Sequence, residues 1–261
     1  MELGIIGKGA IAGYVQRALK DRGYTISVAL LRSGSSLGGA ENDAPTTVYS
    51  ADDLPAGIEH MIDCAGHQAL RIHGPTILRR GIDLTTVSIG ALADDTLFED
   101  LTAAATAGNS KLHLTSGAVG GLDALNAASA GNLKAVTYIG RKPPNGWKGS
   151  PAETQLDLDS LSDPTTHFDG TARDAALQYP KNANVAAAVA LAGVGFDATH
   201  VELIADPTIG ENVHEVHAEG DFGRFSFQIA GNALPNNPRS SALAAMSVVS
   251  TVERAMLRVG F

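Results

Sequence analysis

The chain has 261 residues, of which 44% are hydrophobic and 18% are charged, and this composition is typical of a globular protein with one large or two modest domains. Its formal net charge is −9 and it has no block of lysines or arginines, which argues against a nucleic-acid partner. A single cysteine excludes an intrachain disulfide, and no apolar run has the length of a membrane span. We therefore expect a cytosolic protein with a small-molecule substrate and no membrane partner.

The first part of the chain alternates short apolar strands with helices of 10–15 residues. The predicted strands are Leu3–Ile6, Tyr24–Leu31, His60–Cys64, Ile82–Val87 and Lys111–Thr115. Because strands that alternate with helices of this length form βαβ units, the pattern predicts an α/β domain with a parallel sheet.

After about residue 118 the apolar residues recur with period 2. The segments are Lys134–Arg141, His200–Ala205, Asn212–Glu219 and Arg224–Ile229, the last two joined by a glycine-containing turn. They predict a mainly antiparallel sheet with a hairpin. We predict a Rossmann dinucleotide-binding domain formed by residues 1–118 plus 235–261, with an inserted α+β substrate domain at residues 119–234. A last helix, about Ser240–Arg258, should pack on the first domain.

The loop after the first strand carries a dinucleotide fingerprint. Gly7-Lys8-Gly9-Ala10-Ile11-Ala12 matches G-x-G-x-x-A between a strand and a helix. The glycines allow a tight turn and close approach of a pyrophosphate, and the helix amino terminus supplies N–H donors. The predicted cofactor contacts here are Gly7, Gly9, Ala10, Ile11 and Ala12, and the cofactor is NAD or NADP.

The end of the second strand lacks the acidic residue that usually binds the ribose hydroxyls. Arg32 and Ser33 stand there instead, and these residue types accommodate a 2′-phosphate. The alternative is that Arg32 is a solvated loop cation. We expect NADP to be accepted.

Cys64 and Ala65 follow another strand, at the carboxyl edge where open α/β sheets bind ligands. Cys64 as a nucleophile would need an activated environment. Packing beside the cofactor is the favoured interpretation for both residues.

His214 lies in a strand that alternates cleanly. It shares one face with Val216 and Ala218, while Glu215 and His217 lie on the other. From the pattern alone His214 is either a core residue or a site residue, and the core interpretation is slightly favoured.

Several motifs occur in order along nearly the whole chain. They are Gly7–Ala12, Ser116–Gly121, Arg141–Pro144, Phe168–Arg173, Tyr179–Ala186, Asn212–His214 and Asn237–Ser241. As an ordered set they resemble the aspartate dehydrogenase family, which is related in architecture to homoserine dehydrogenase and dihydrodipicolinate reductase. The resemblance implies reversible oxidation of L-aspartate to iminoaspartate, which feeds NAD biosynthesis or hydrolyses to oxaloacetate and ammonia.

The resemblance also implies roles for individual residues. It makes His214 the active-site histidine, and Ala118 and Asn184 cofactor contacts near the nicotinamide. Asn184 as a helix N-cap is the alternative. We assign the substrate to four further residues: Gly120, Gly121, Lys142 and Asn212. The alternative for Lys142 is a solvated loop lysine. The two glycines open a helix whose N–H groups could hold a carboxylate.

Hydride would pass from Cα of the substrate to the nicotinamide. With an ordinary pKa of about 6.5, His214 could accept a proton or activate the hydrolytic water at neutral pH. We expect no metal ion and a homodimer. The alternatives are another amino- or imino-acid reductase of the same architecture, and an NADP-sensing module without activity.

Overall fold

A computed structural model describes residues 2–36, 44–180, 183–235 and 237–259, except for the side chains of Pro238 and Arg239. The chain divides into two compact units, Met1–Thr115 with Ala244–Phe261, and Ser116–Leu243. The sequence predicts boundaries at 118/119 and 234/235. The boundaries differ because Gly120 and Gly121 pack against Phe227 within the second unit, and because residues 233–234 pair with residues 237–241 in a small sheet of their own.

The first unit contains a six-stranded parallel sheet. Its strands are β1 (Glu2–Ile6), β2 (Ile26–Leu30), β3 (Thr46–Val48), β4 (Ile58–Asp63), β5 (Asp83–Thr86) and β6 (Leu112–Leu114). The order across the sheet is β3-β2-β1-β4-β5-β6, and every neighbouring pair is parallel. The parallel sheet was predicted, but the three-residue β3 was not. The order reverses at β1, where doubly wound sheets bind ligands at the carboxyl ends of the strands.

Three helices connect these strands: α1 (Ala10–Lys20), α2 (His67–Arg79) and α3 (Asp95–Gly108). Helix α1 buries Ala12, Val15 and Leu19, which recur at helical spacing along one face. Helix α3 begins after Asp94, because the Asp94 side chain accepts hydrogen bonds from the first-turn amides of Thr96 and Leu97.

The second unit is built on a five-stranded sheet. In chain order its elements are α4 (Leu122–Ala128), β7 (Leu133–Lys142), β8 (Thr165–Thr171), α5 (Ala172–Gln178), α6 (Asn184–Ala192), β9 (His200–Ala205), β10 (Asn212–Gly220) and β11 (Gly223–Gly231). The order is β11-β10-β7-β9-β8, with β7 and β9 parallel and the other three pairs antiparallel. The β10–β11 hairpin was predicted; β8 was not.

The chain then forms β12 (Ala233–Leu234), β13 (Asn237–Ser241) and α7 (Ala242–Met256). Helix α7 buries Val248, Val249 and Val252 in one cluster with β1 and α1 of the first unit. Each such valine contributes about 1.5 kcal/mol or more by leaving water. The prediction that the last helix packs on the first domain is confirmed.

None of the helices within the described ranges has both the length and the apolarity that a bilayer crossing requires.

Candidate active site

The glycine-rich loop joins β1 to α1 at the carboxyl edge of the parallel sheet. Gly7 adopts φ +96°, and a Cβ atom there would lie 3.0 Å from Cβ of Ala65, so the loops after β1 and β4 approach closely. Gly9 precedes α1, and a Cβ atom on it would meet no described atom within 4 Å. The loop therefore leaves open space in front of a helix amino terminus, as a bound pyrophosphate requires.

A cleft of about 280 Å³ lies in front of this loop. Its walls are formed by Ile6, Gly7, Lys8, Gly9, Leu30, Leu31, Arg32, Ser35, Cys64, Ala65, Ala69 and His73. Five predicted cofactor residues are among them. Ala10, Ile11 and Ala12 follow in α1, where Ala12 is fully buried, and Ser33 adjoins the wall beside Arg32.

Lys8, Ser35 and His73 line this cleft although sequence analysis did not select them. Lys8 lies inside the fingerprint itself, and its Nζ donates to the carbonyl of Ser36 at 3.0 Å. His73 lies one helical turn after Ala69 on α2, so the two side chains share a face of the helix. A helix that begins at the carboxyl edge of the sheet and turns this face to the cleft could have been a signal for His73.

The loop after β4 is held by a buried carboxylate that sequence analysis also missed. One oxygen of Asp63 accepts hydrogen bonds from Thr86 Oγ1 at 2.7 Å and Ser88 Oγ at 2.6 Å. The other oxygen accepts from the amide of Ala65 at 2.9 Å. Burial raises the pKa of Asp63, while these hydrogen bonds oppose the rise.

Burial, together with the nearby Asp63 carboxylate, also raises the pKa of the Cys64 thiol well above its usual value. A thiol in this environment stays protonated at neutral pH and is a poor nucleophile. The position of Cys64 in the wall of the cleft agrees with the packing interpretation.

In the second unit, β10 turns His214, Val216 and Ala218 to a buried face, while Glu215 and His217 are half-exposed. The Nδ1 atom of His214 lies 2.8 Å from the hydroxyl of Tyr138 on β7. The two residues are not directly paired, because His214 lies opposite Gly140. A Cβ atom at Gly140 would lie 2.7 Å from the Tyr138 hydroxyl, so this glycine makes room for the contact.

The protonation state of His214 differs from the expectation. Burial, and then the positive charge of Lys142, lower its pKa to about 4, rather than the 6.5 assumed from the sequence. The imidazole is therefore neutral at neutral pH. Burial also raises the pKa of Tyr138, so its hydroxyl stays protonated.

Lys142 ends β7 and provides the positive charge of this cluster. Its Nζ lies 4.7 Å from the centroid of the Trp147 ring, a cation–π contact. Burial lowers the pKa of Lys142 to about 8, which leaves most of the ammonium protonated at neutral pH. Its charge lowers the pKa of both His214 and His167, so one cation influences two neutral imidazoles.

Three clustered aromatic residues, two of which interact with Lys142, were not selected as site residues from the sequence: Trp147, His167 and Tyr179. The His167 ring lies 4.4 Å from that of Trp147, and its Nδ1 lies 3.1 Å from the Tyr179 hydroxyl. Trp147 is fully buried and donates its indole N–H to the carbonyl of Ile204 at 3.0 Å. The single tryptophan of the chain was an available signal, but it lies in a segment rich in proline, glycine and serine that has no strand or helix periodicity.

Asn212, the first residue of β10, lies near Lys142. A Cβ atom at Gly146 would be 3.2 Å from Cβ of Lys142 and 3.8 Å from Oδ1 of Asn212, so both side chains flank this glycine. Three predicted residues of the second unit are thus connected: Lys142, Asn212 and His214. Lys142 and Asn212 flank the same glycine, and the charge of Lys142 acts on His214.

The predicted glycines after β6 have a packing role. A Cβ atom at Gly120 would lie 2.7 Å from the Phe227 ring, and one at Gly121 would lie 3.4 Å from the same side chain. Gly121 has φ +74° and caps α4, which is only seven residues long. Ala118 is buried three residues before it.

Asn184 is the first residue of α6, and the N-cap is Ala183, so the N-cap alternative for Asn184 is wrong. Residues 181–182 of the motif around it lie outside the described residues.

Two family models together match most of the chain. The model described as "Aspartate dehydrogenase, C-terminal" matches residues 123–255, and "Homoserine dehydrogenase, NAD binding domain" matches residues 7–115. The first match includes the His214 strand, and the second includes the glycine-rich loop.

Among curated proteins, the chain is 51% identical to an L-aspartate dehydrogenase of Ruegeria pomeroyi, over 97% of the chain and 92% of the relative. It is 43% identical to an L-aspartate dehydrogenase of Cupriavidus necator, over 95% of each. Among solved structures, aspartate dehydrogenase from Thermotoga maritima superposes with a TM-score of 0.77 at 24% identity, covering 100% of the chain and 99% of that structure. This last similarity shows a shared fold.

Proposed function

The chain belongs to the aspartate dehydrogenase family, and we propose that it catalyses the reversible NAD(P)-dependent oxidation of L-aspartate to iminoaspartate. The product hydrolyses to oxaloacetate and ammonia. The observation that carries the proposal is the buried pair of His214 and Tyr138, with Lys142 as the neighbouring cation, in a chain whose first unit is an NAD-binding domain.

When bound, the nicotinamide cofactor accepts or donates the hydride. We assign the pyrophosphate to Gly7, Gly9 and the first-turn amides of α1, at residues 10–12. Arg32 and Ser33 are proposed to hold a 2′-phosphate, since Arg32 lines the cleft and both side chains are exposed. Cys64 and Ala65 complete the wall on the other side.

The family motifs assign Ala118 and Asn184 to the nicotinamide end of the cofactor, and we keep that assignment as a proposal. Gly120 and Gly121 are weaker substrate candidates than Lys142 and Asn212. The two glycines are needed for packing against Phe227, and a seven-residue helix provides little macrodipole.

L-Aspartate carries two carboxylates, and the second unit offers a cation for one of them. The Lys142 and Asn212 side chains flank the same glycine, and we propose that one substrate carboxylate accepts hydrogen bonds from the Lys142 ammonium and the Asn212 amide. The Lys142 ammonium also lies over the Trp147 ring, in a cation–π contact. In a buried setting this charge-assisted contact is stronger than at the surface, because water screens it less.

His214 is proposed to move the proton. When its Nδ1–H donates to the Tyr138 hydroxyl, Nε2 keeps its lone pair and can accept a proton from the substrate ammonium or from the hydrolytic water. A pKa of about 4 makes His214 a weak base in the free protein. A carboxylate bound at Lys142 would offset the charge that lowers this pKa, so substrate binding should make His214 more basic.

The test is oxidation of NADH or NADPH with oxaloacetate plus ammonia, with each component omitted in turn. Oxidation that requires all three components supports the proposal. Turnover only with a different oxo acid would identify another reductase of this architecture. Cofactor binding without any turnover would identify a sensor.

We also propose a homodimer in the cytosol, with iminoaspartate supplied to NAD biosynthesis. The nine-residue β11 lies at the edge of its sheet, and a long edge strand offers backbone donors and acceptors to a second chain. A solution mass equal to one chain at working concentrations would contradict the dimer.

A further inference from the structure

Three metal-ligating side chains lie on neighbouring strands of the parallel sheet: His60 on β4, Asp83 on β5 and His113 on β6. In the register of the sheet His60 lies opposite Asp83, and His113 lies opposite Thr85, two residues further along β5. Because side chains alternate along a strand, all three point to one face. One ligand atom from each residue lies within 4.8 Å of the other two.

His60 is fully buried and has one unsatisfied ring nitrogen. Its Nε2 lies 2.7 Å from Thr85 Oγ1, whereas its Nδ1 is buried and makes no hydrogen bond within the described part of the chain. When Nε2–H donates to Thr85, Nδ1 is left with a lone pair and no partner. A histidine that binds a metal has this arrangement, with one nitrogen on the ion and the other donating to a fixed acceptor.

Asp83 and His113 provide the rest of the site. His113 Nε2 lies 3.1 Å from Asp83 Oδ2, and the other Asp83 oxygen accepts from the Lys111 amide at 2.8 Å, which holds the carboxylate in place. The His60 and His113 ring centroids are 5.4 Å apart. Around a tetrahedral zinc ion, Zn–N bonds of 2.0–2.1 Å put ligand atoms about 3.3 Å apart and imidazole centroids about 5 Å apart. The distance from His113 Nε2 to Asp83 Oδ2 is close to the first value, and the distance between the two ring centroids, whose planes are 22° apart, is close to the second.

We propose that His60, Asp83 and His113 bind one divalent transition-metal ion of the zinc class. Two imidazoles and a carboxylate select such an ion over Mg²⁺ or Ca²⁺, which prefer all-oxygen sites. The side chains of Asp83 and His113 are 34% and 22% exposed, so water can reach a fourth position. For His113 to bind the ion through Nε2 as a neutral imidazole, its N–H proton moves to Nδ1 by exchange with solvent, and the hydrogen bond to Asp83 Oδ2 is replaced by the two bonds to the metal.

The proposed ion joins three adjacent strands and, at β4, lies in the half of the strand away from Cys64 and the cofactor cleft. Its role is therefore structural, and it departs from our expectation that the chain uses no metal. The inference does not depend on the proposed dehydrogenase activity.

The test uses the full chain, stripped with a chelator and then titrated with Zn²⁺ or Mg²⁺ in a calorimeter. We expect one Zn²⁺ per chain, a rise in Tm of several degrees with Zn²⁺, and neither effect with Mg²⁺. His113→Ala should lose at least tenfold in Zn²⁺ affinity, and Asp83→Asn should also bind more weakly. The control is His200→Ala, in the more exposed Asp169–His200–Glu202 group, which should bind Zn²⁺ as the unmodified chain does.

The proposal fails if the unmodified chain takes up no Zn²⁺. This outcome can be measured without any variant, so it does not depend on whether a variant folds. It also fails if a folded His113→Ala keeps the same affinity and Tm rise, or if His200→Ala removes them. Dehydrogenase activity is not a readout, so failure of the metal site and failure of the proposed function are separate results.

Discussion

The hydroxyl of Tyr138 lies 2.8 Å from Nδ1 of His214, and Gly140, opposite the histidine, leaves the space that this contact needs. The contact holds one nitrogen of the imidazole and leaves Nε2 as the atom available for proton transfer. The roles of His214 and of the residues around it can therefore be tested separately.

Replacing His214 should remove proton transfer without removing cofactor binding. We expect His214→Ala to fold, to keep its affinity for NAD(P)H, and to lose about 10²–10⁴-fold in kcat, the usual range for a lost acid–base group. Steady-state kinetics and a cofactor titration measure both effects. His217→Ala, a half-exposed histidine on the opposite face of the same strand, is the matched control and should change kcat little. Equal behaviour of the two variants would show that His214 is an ordinary core residue.

Replacing Tyr138 should act through the histidine. Tyr138→Phe keeps the ring and removes one hydrogen bond, a loss of about 0.5–1.5 kcal/mol, so kcat should fall about 2- to 10-fold with little change in KM. Tyr179→Phe removes a buried hydroxyl that contacts His167 instead, and is the control for general loosening of the unit. If both variants lower kcat equally, Tyr138 does not position His214.

Removing the Lys142 charge should weaken substrate binding and raise the pKa of His214. For Lys142→Met, loss of a charge-assisted contact of about 1.5–3 kcal/mol predicts a decrease of about 10- to 100-fold in kcat/KM for oxaloacetate. In an NMR titration, the pKa of His214 should rise from about 4, because one of the two causes of its lowering is gone. Lys148→Met, at an exposed lysine paired with Asp159, should change neither quantity. An unchanged His214 pKa in Lys142→Met would contradict the electrostatic link.

The Arg32 side chain is exposed and lines the cleft, so it should distinguish the two cofactors. We expect Arg32→Asp to lower the affinity for NADPH by about 10- to 100-fold, because a charge-assisted contact with a phosphate contributes about 1.5–3 kcal/mol. The affinity for NADH, which lacks this phosphate, should change much less. Fluorescence titration with each cofactor gives the ratio. Arg224→Asp, at an exposed position of the second unit, controls for the change in net charge. Equal losses for both cofactors would show that Arg32 does not contact the 2′-phosphate.

Stability should fall in mild acid because three buried histidines resist protonation. His60, His167 and His214 have pKa values lowered to about 4, chiefly by burial, whereas in the unfolded chain each is near 6.5. Between these values the unfolded chain binds more protons, so the free energy of unfolding is greatest above pH 6.5 and decreases toward pH 4. Urea unfolding at several pH values, with a chelator present, measures the slope. His214→Gln should reduce the dependence of the free energy of unfolding on pH. A free energy of unfolding that does not change between pH 6.5 and pH 4 would contradict the lowered pKa values.

Local sequence determined the parts of this protein that depend on near neighbours in the chain. The fingerprint from Gly7 to Ala12 predicted the first strand–turn–helix, because each glycine there meets a local backbone requirement. The alternation of β10 placed His214 on the buried face, because a strand reverses its side chains at every residue. Asp94 located the start of α3 through its own side chain.

Only the tertiary structure decided what depends on residues far apart in the chain. Strand β8 was missed because its register shifts between Thr166 and Phe168 and it carries polar residues, and His167 was missed with it. The pKa of His214 is lowered by its burial and by Lys142, 72 positions earlier in the chain (214 − 142), and no local pattern records either cause. His60 and His113 are 53 positions apart (113 − 60) and meet because β4, β5 and β6 lie side by side. Periodicity describes which face a side chain occupies, but charge, burial and ligand geometry depend on what the fold places opposite that face.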